Sequence, residues 1–203
     1  MRRGLVGGVK RLLDLVLALS ALAVLSPAIG VIALLIKLDS PGPVFFRQSR
    51  NGLKLKIFEI YKFRTMTTQE DGAAVRQASA ADQRVTRIGR LLRASSLDEL
   101  PQLINVVRGE MSIVGPRPHA LVHDTEYSAT IPEYALRFRA RPGLTGLAQI
   151  RGARGAINCR EDVVERIAHD LEYQRRWTLW FDLWLIMITP GVLVSHFLTK
   201  RAF

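Results

Sequence analysis

The residues best suited to chemistry in this chain are two adjacent carboxylates, Asp98 and Glu99, within Ser95-Ser96-Leu97-Asp98-Glu99-Leu100-Pro101-Gln102-Leu103. Such a pair at a helix start can coordinate Mg2+, which neutralises a bound diphosphate. A plainer reading also fits, since Ser96 followed by Glu99 matches a capping box. Pro101 complicates it: if the helix has already begun at Leu97, that residue's carbonyl is left unpaired. Upstream, Arg84, Arg87, Arg90 and Arg93 recur every three residues, which places their guanidinium groups on one broad helix side. That stripe suits either solvent or phosphate oxygens, which the planar fork binds in pairs. Downstream, Gly115-Pro116-Arg117-Pro118 and Arg141-Pro142-Gly143-Leu144-Thr145-Gly146 are rigid loops carrying arginine. They either present N–H groups and guanidinium to anions or serve as structural turns. His119 and His123 have the spacing of a helical metal pair, yet without an evident third ligand they read as solvent or packing histidines.

These groups need elements to hold them. Residues 12–36 carry Asp14 as their one formal charge, a run long enough to span a bilayer core of about 30 Å. The run exceeds a signal-peptide core and has no small-residue cleavage site followed by a mature-looking start. Pro27 has no backbone N–H, so the carbonyl of Ala23 loses its helical partner, and Ser26 can bond a freed carbonyl. Basic residues flank the run on both sides: Arg2, Arg3, Lys10 and Arg11 before it, Lys37, Arg47, Arg50, Lys54 and Lys56 after it. Positive flanks favour the cytoplasmic face. A helix broken at Ser26 and Pro27 that re-enters the same leaflet satisfies both features better than a straight, kinked span.

Asp39-Ser40-Pro41-Gly42-Pro43 is a helix stop, and the β-formers after it flank Asn51-Gly52, which predicts a β-hairpin over 44–61. Residues 67–81 read as a surface loop or short helix, and 82–92 as a helix. A further helix is predicted over 160–181. Trp177, Trp180, Phe181 and Trp184 follow helical spacing beside Arg175 and Arg176, which suits an amphipathic helix at a membrane interface. The last apolar stretch, 183–198, is interrupted by Pro190-Gly191 and short for a span, so it is expected in the interface or on the core. The fold class is α+β, mostly helical, in a single domain over 1–203.

An apolar fraction of 48% beside 23% charged residues excludes both a disordered chain and a polytopic membrane protein. The net charge of +11 fits either a generic basic surface or a polyanionic partner: nucleic acid, an anionic lipid surface or phosphorylated small molecules. A lone cysteine, Cys159, rules out an internal disulfide and suits a reducing, cytosol-facing site.

The ordered motifs resemble the bacterial sugar transferase family, the monotopic phosphoglycosyl transferases. The resemblance runs nearly end to end, from Lys10-Arg11-Leu12-Leu13-Asp14 through Ser26-Pro27, Asp39-Ser40-Pro41-Gly42-Pro43, Tyr61-Lys62-Phe63-Arg64-Thr65-Met66 and Thr86-Arg87-Ile88-Gly89-Arg90. It continues through Ser96-Leu97-Asp98-Glu99-Leu100-Pro101-Gln102, Met111-Ser112-Ile113-Val114-Gly115-Pro116-Arg117-Pro118 and the loop at Arg141. The resemblance implies a monotopic protein on the cytoplasmic face of the bacterial inner membrane, among anionic headgroups. It also implies the reaction, in which a UDP-sugar and undecaprenyl phosphate give undecaprenyl-diphosphate-sugar and UMP with Mg2+. Asp98 would be the nucleophile and a metal ligand, and Glu99 a proton acceptor or an orienting group. Lys62, Arg64, Thr145 and Gln149 fall in motifs for nucleotide or phosphate binding. Mg2+, Arg93 and Arg117 would supply positive charge where two anions meet and depress the Asp98 pKa.

Leu147 stands where many members carry an aromatic residue, and 151–160 lack a common Gly-Arg-Asn run, which bears on sugar and uridine contacts. The chain opens almost directly on the apolar run, as expected of a minimal enzyme or an excised catalytic domain. The rival readings are a membrane-tethered nucleic-acid-binding module, which would not need the carboxylate pair, and a scaffold with a degenerate site. The complete pair beside Arg93 favours the enzyme, with no nucleic-acid partner.

Overall fold

A computed structural model of the chain describes residues 5–67, 82–153, 155, 157 and 159–199. The element predicted to break does not. Helix α1 runs from Leu5 to Asp39 with Pro27 inside it, so the expected break at Ser26 and Pro27 is corrected to continuous helical backbone. Ser26 supplies the reason: its Oγ donates to the Ala23 carbonyl at 2.8 Å, the acceptor that Pro27 orphans.

Both ends of α1 dock on the rest of the chain. Near its start Lys10 and Asp14 are buried, one turn apart. Lys10 Nζ donates to Asp182 Oδ2 at 2.6 Å, while Asp14 Oδ1 accepts from Ser112 Oγ and the Ile113 N–H, both at 3.0 Å. The charge in the apolar run therefore faces protein. Arg11 donates to the Val106 and Val107 carbonyls. Lys10 and Arg11, counted among the positive flanks, thus also anchor α1 to the rest of the chain; Arg2 and Arg3 lie outside the described residues. At the other end Ile32 and Ile36 pack with Phe63 and Leu92, and Asp39 Oδ2 accepts from the Ile88 N–H at 3.1 Å. Between the two docks, Leu19, Val24, Val31 and Leu34 stand exposed.

Strands β1 (Phe45–Asn51) and β2 (Ile57–Phe63) pair antiparallel from Phe45 with Phe63 to Asn51 with Ile57. The hairpin stands where it was predicted, but its turn does not. Asn51 still pairs within the ladder, and residues 52–56 form the connection, with one 3-10 turn over Leu53–Leu55. Lys54 and Leu55, at φ 56° and 63°, make the left-handed reversal, two residues beyond the Asn51-Gly52 signal. Gly52 serves close approach instead: a Cβ there would lie 3.0 Å from the Lys56 carbonyl oxygen.

Helix α2 (Arg87–Ser95) starts later than predicted, because Thr86 caps it by accepting from the Gly89 N–H. Helix α3 (Gln102–Arg108) follows Pro101, which tolerates a helix start. Asn105, fully buried, ties α3 to β2 by accepting from the Tyr61 N–H at 3.0 Å and donating to the Glu59 carbonyl at 2.6 Å. The predicted loop or short helix over 67–81 lies almost wholly outside the described residues.

Strands β3 (Ser112–Val114) and β4 (Gly143–Thr145) run parallel, Ser112 beside Gly143 and Val114 beside Thr145. The flanking loops continue the ladder: the Gly115 N–H donates to the Thr145 carbonyl and the Gly143 N–H to that of Pro116, both at 2.9 Å. A Cβ on Gly143 would sit 2.0 Å from Gly115 N, and one on Gly146 2.3 Å from Gly115 O. These N–H groups serve the fold, so the two loops are turns at those positions.

Helix α4 (Leu121–Thr130) precedes a 3-10 segment, Tyr134–Arg139, and the short α5 (Leu147–Ile150) follows β4. The helix predicted over 160–181 is two helices, α6 (Arg160–Arg176) and α7 (Leu179–Leu198), divided where Thr178 caps α7 through the Phe181 N–H. The aromatic stripe divides with them. Trp177 Nε1 donates to buried Asp182 at 2.9 Å and Phe181 packs on Tyr173, while Trp180 and Trp184 are 81% and 49% exposed. Pro190-Gly191 do not interrupt α7, which by length and composition reaches the size of a membrane crossing, as does α1. Among the described residues the chain is mostly helical with two small sheets, and its long apolar α1 is compatible with a monotopic membrane protein.

Candidate active site

Asp98 and Glu99 sit in a 3-10 turn, Leu97–Glu99, between α2 and α3. Ser96 reverses the chain in the left-handed region, φ 61°, and makes no capping bond, so the capping box suggested by Ser96 and Glu99 does not form. Glu99 turns instead to two cations. Arg117 Nη1 donates to Glu99 Oε2 at 3.0 Å, Arg117 Nη2 donates to Oε1, and Lys62 Nζ donates to Oε1 at 3.0 Å. Lys62 comes from β2 and Arg117 from the turn after β3, so three elements converge on one carboxylate.

Asp98 stands outside that clamp. Lys62 Nζ lies 4.0 Å from its Oδ2, and its side chain is 13% exposed. Burial raises the Asp98 pKa from the ordinary carboxylate value; Lys62, Arg93 and Arg117 oppose the rise and Glu99 adds to it. The expected depression joined Mg2+ to Arg93 and Arg117; the side chains alone do not outweigh the removal of this carboxylate from water. Glu99 in turn holds the Arg117 guanidinium more firmly protonated. Two neighbouring carboxylates thus have different surroundings, one locked and one available, the arrangement that separates an orienting group from a reactive one.

Of the predicted arginine stripe, Arg93 reaches this site: its charge acts on Asp98 and its Nη1 contacts Met66 Sδ at 3.5 Å. Arg84 precedes α2 and pairs with Asp82, and Arg87 and Arg90 are exposed. Arg64 is elsewhere too. Its Nη2 donates to the Ser40 carbonyl at 2.6 Å and to Ser40 Oγ at 2.9 Å, and its Nη1 donates to the Pro41 carbonyl at 2.5 Å. It closes the C-terminal end of α1, so its expected phosphate-binding role gives way to a cap. Gly42, at φ +122°, makes room for it, since a Cβ would fall 2.0 Å from Arg64 Nη1.

Thr145 Oγ1 shares a hydrogen bond with Thr189 Oγ1 at 2.9 Å, and Gln149 Nε2 donates to the Leu144 carbonyl at 3.3 Å. Both line the β4–α5 corner facing α7, and none of these bonds joins them to Asp98 or Glu99. His123 stacks on Tyr127, and His119 is buried with Nδ1 2.7 Å from the Tyr134 hydroxyl. Burial, then Arg137, Arg166, Arg50 and Arg117, hold His119 neutral. Neither histidine joins a metal cluster, and among the described residues no group of three His, Cys, Asp or Glu is gathered for a resident ion. A single carboxylate such as Asp98 does fit magnesium delivered with phosphates, which commonly keeps water and takes one or two protein oxygens.

Sequence reasoning missed the buried polar group behind Arg117: Asp124, Tyr134, Arg137 and Asp170. Arg137 Nη2 donates to the Arg117 carbonyl at 2.5 Å and to Asp170 Oδ2 at 2.8 Å. The apolar spacing of Val163, Ile167 and Tyr173 on α6, with Asp170 on the same face, was the available signal.

A bacterial sugar transferase family model matches residues 6–196. The chain is 56% identical over 187 residues to a UDP-glucose:undecaprenyl-phosphate glucose-1-phosphate transferase of Caulobacter vibrioides, covering 92% of this chain and 70% of that protein. It is 48% identical over 200 residues to an Escherichia coli protein of the same name, covering 97% of this chain and 42% of the relative. An exopolysaccharide production protein of Rhizobium leguminosarum is 46% identical over 198 residues, covering 96% of this chain and 98% of its own length. The chain therefore spans nearly all of one relative and less than half of another.

Proposed function

The chain belongs to the bacterial sugar transferase family, and on that premise we propose that it transfers a sugar-1-phosphate from a UDP-sugar to undecaprenyl phosphate and releases UMP. The relatives named for UDP-glucose make glucose the first sugar to test. The observation that carries the reading is the asymmetric pair, Glu99 clamped by Arg117 and Lys62 beside an unclamped Asp98.

In this scheme an Asp98 carboxylate oxygen attacks the β-phosphorus, a P–O bond forms, and the bond to the bridging oxygen breaks as UMP leaves. The phosphate of undecaprenyl phosphate then attacks the same phosphorus, and the acyl-phosphate bond breaks to regenerate Asp98. Splitting one transfer into two displacements is carboxylate nucleophilic catalysis. Lys62, Arg93 and Arg117 hold the phosphoryl oxygens, and Glu99 keeps Arg117 in place. Magnesium bound with the diphosphate at Asp98 supplies charge neutralisation and favours the ionised carboxylate. Purified protein with Mg2+, undecaprenyl phosphate and UDP-glucose is expected to release UMP, and chelation by EDTA to stop the release. An inert protein across a panel of UDP-sugars refutes the reading.

The same proposal places α1 as a re-entrant helix on the cytoplasmic side of the bacterial inner membrane, among anionic headgroups. Two features support it: docks at both ends of α1 and an exposed apolar middle. Single cysteines introduced near residues 5 and 45 are both expected to react with an impermeant label from the cytoplasmic side. Labelling from opposite sides rejects re-entry in favour of a span.

A further inference from the structure

We propose that Arg137 is a positioning residue for this transfer: it fixes the backbone that carries Arg117 and, through Arg117, the orientation of Glu99. The inference rests on the reaction proposed above and adds a residue that touches neither phosphate nor carboxylate of the site.

A guanidinium has five N–H donors in one plane, and the Arg137 donors meet five acceptor contacts. Nε donates to Asp170 Oδ2 at 3.2 Å, and Nη2 donates to the same oxygen at 2.8 Å and to the Arg117 carbonyl at 2.5 Å. Nη1 approaches His119 Nδ1 and the Tyr134 hydroxyl, both at 2.9 Å. The Tyr134 hydroxyl gives its own hydrogen to Asp124 Oδ1, so it can accept from Arg137. His119 Nδ1 is then the acceptor of the remaining Arg137 hydrogen, which puts the imidazole hydrogen on Nε2.

Two of these acceptors, the Arg117 carbonyl and the His119 ring, flank Pro118. One rigid plane therefore grips the Arg117 turn at two points. The grip is referenced to distant parts of the chain: to α6 through Asp170, and to the β-hairpin through Asp124, whose Oδ2 accepts from Asn51 Nδ2 at 2.9 Å. On the opposite side the turn is held by the Gly115–Thr145 and Pro116–Gly143 ladder bonds. Arg117 leaves this braced backbone with its side chain on both Glu99 oxygens.

Burial makes the arrangement costly. Arg137 and Asp170 are each 3% exposed, and a buried ion pair adds little stability over apolar residues of the same volume. What five bonds in one plane add is placement, and a displacement of about 1 Å in a reacting group can slow a reaction by roughly 100-fold.

A double-mutant cycle on the UMP-release reaction tests this. Arg137→Lys keeps the charge but offers three donors without the plane. It is expected to lower kcat about tenfold while the KM for the UDP-sugar changes little. In an Arg117→Lys background, where the fork on Glu99 is already gone, Arg137→Lys is expected to cost nothing more. Asp170→Asn, which keeps an acceptor of the same shape, provides a second cycle if Arg137→Lys does not fold. It is expected to slow the reaction less, and again to have no effect beside Arg117→Lys. Additive losses in either cycle, or wild-type kcat in both single variants, overturn the inference. A wild-type protein that releases no UMP overturns the function instead, so the two failures are distinct.

Discussion

Replacing Asp98 by asparagine is expected to eliminate UMP release, lowering kcat by at least about 1,000-fold. Asparagine matches aspartate in size and still fits the turn between α2 and α3, so the change removes charge and nucleophilicity and leaves the fold alone. Glu99 cannot take over. Its two oxygens are held by Arg117 and Lys62, and turning it toward a phosphorus would leave a partly buried guanidinium without its partner. An acid quench of the wild-type reaction with label in the sugar is expected to leave label on the protein, released by hydroxylamine as from an acyl phosphate, and none on Asp98→Asn. Wild-type turnover in that variant would remove Asp98 from the nucleophile's place.

The second large effect concerns stability. Asp182→Ala is expected to cost about 3–5 kcal/mol, because it leaves the buried Lys10 ammonium without its nearest counter-charge. Asp182 is fully buried and accepts from Lys10 Nζ, the Tyr173 hydroxyl at 2.7 Å and Trp177 Nε1 at 2.9 Å. One side chain thus joins the start of α1 to α6 and α7. For a chain of this size the loss corresponds to a fall of about 10 °C in the midpoint of thermal unfolding. Tryptophan fluorescence of detergent-solubilised protein follows the transition, since Trp177 bonds the missing carboxylate. Asp182→Asn retains an acceptor and is expected to lose less. An unchanged midpoint for Asp182→Ala means that Lys10 does not enter the folded state as a buried charge.

Local signals in the amino-acid sequence predicted local structure well. Asn51-Gly52 located a hairpin, and Asp98-Glu99 stood out as an unusual pair before any family resemblance was drawn. Errors arose where tertiary contact decided the outcome. Gly52 was read as the turn glycine, but packing under Phe58 makes it a close-approach glycine and moves the reversal to Lys54 and Leu55. Arg64 belongs to a motif with Lys62, yet β2 ends at Phe63, and Arg64, just past it, turns to the end of α1 while Lys62 turns to Glu99. At Pro27 the Ser26 bond was legible and its consequence was not: the hydroxyl replaces the missing donor at the Ala23 carbonyl, and the helical backbone of α1 continues. No periodicity could disclose that Lys10 meets Asp182, 172 positions away, or that Arg137 lies behind Arg117.

The double docking of α1 has a consequence for how the protein responds to lipid. A spanning helix relieves hydrophobic mismatch by tilting on its own. Here Lys10 and Asp14 fasten one end and Arg64 closes the other, so α1 cannot change its inclination without carrying the attached fold. Under the re-entrant reading, a thinner or thicker bilayer changes the height at which Asp98 rides, and acyl-chain length becomes a variable of turnover.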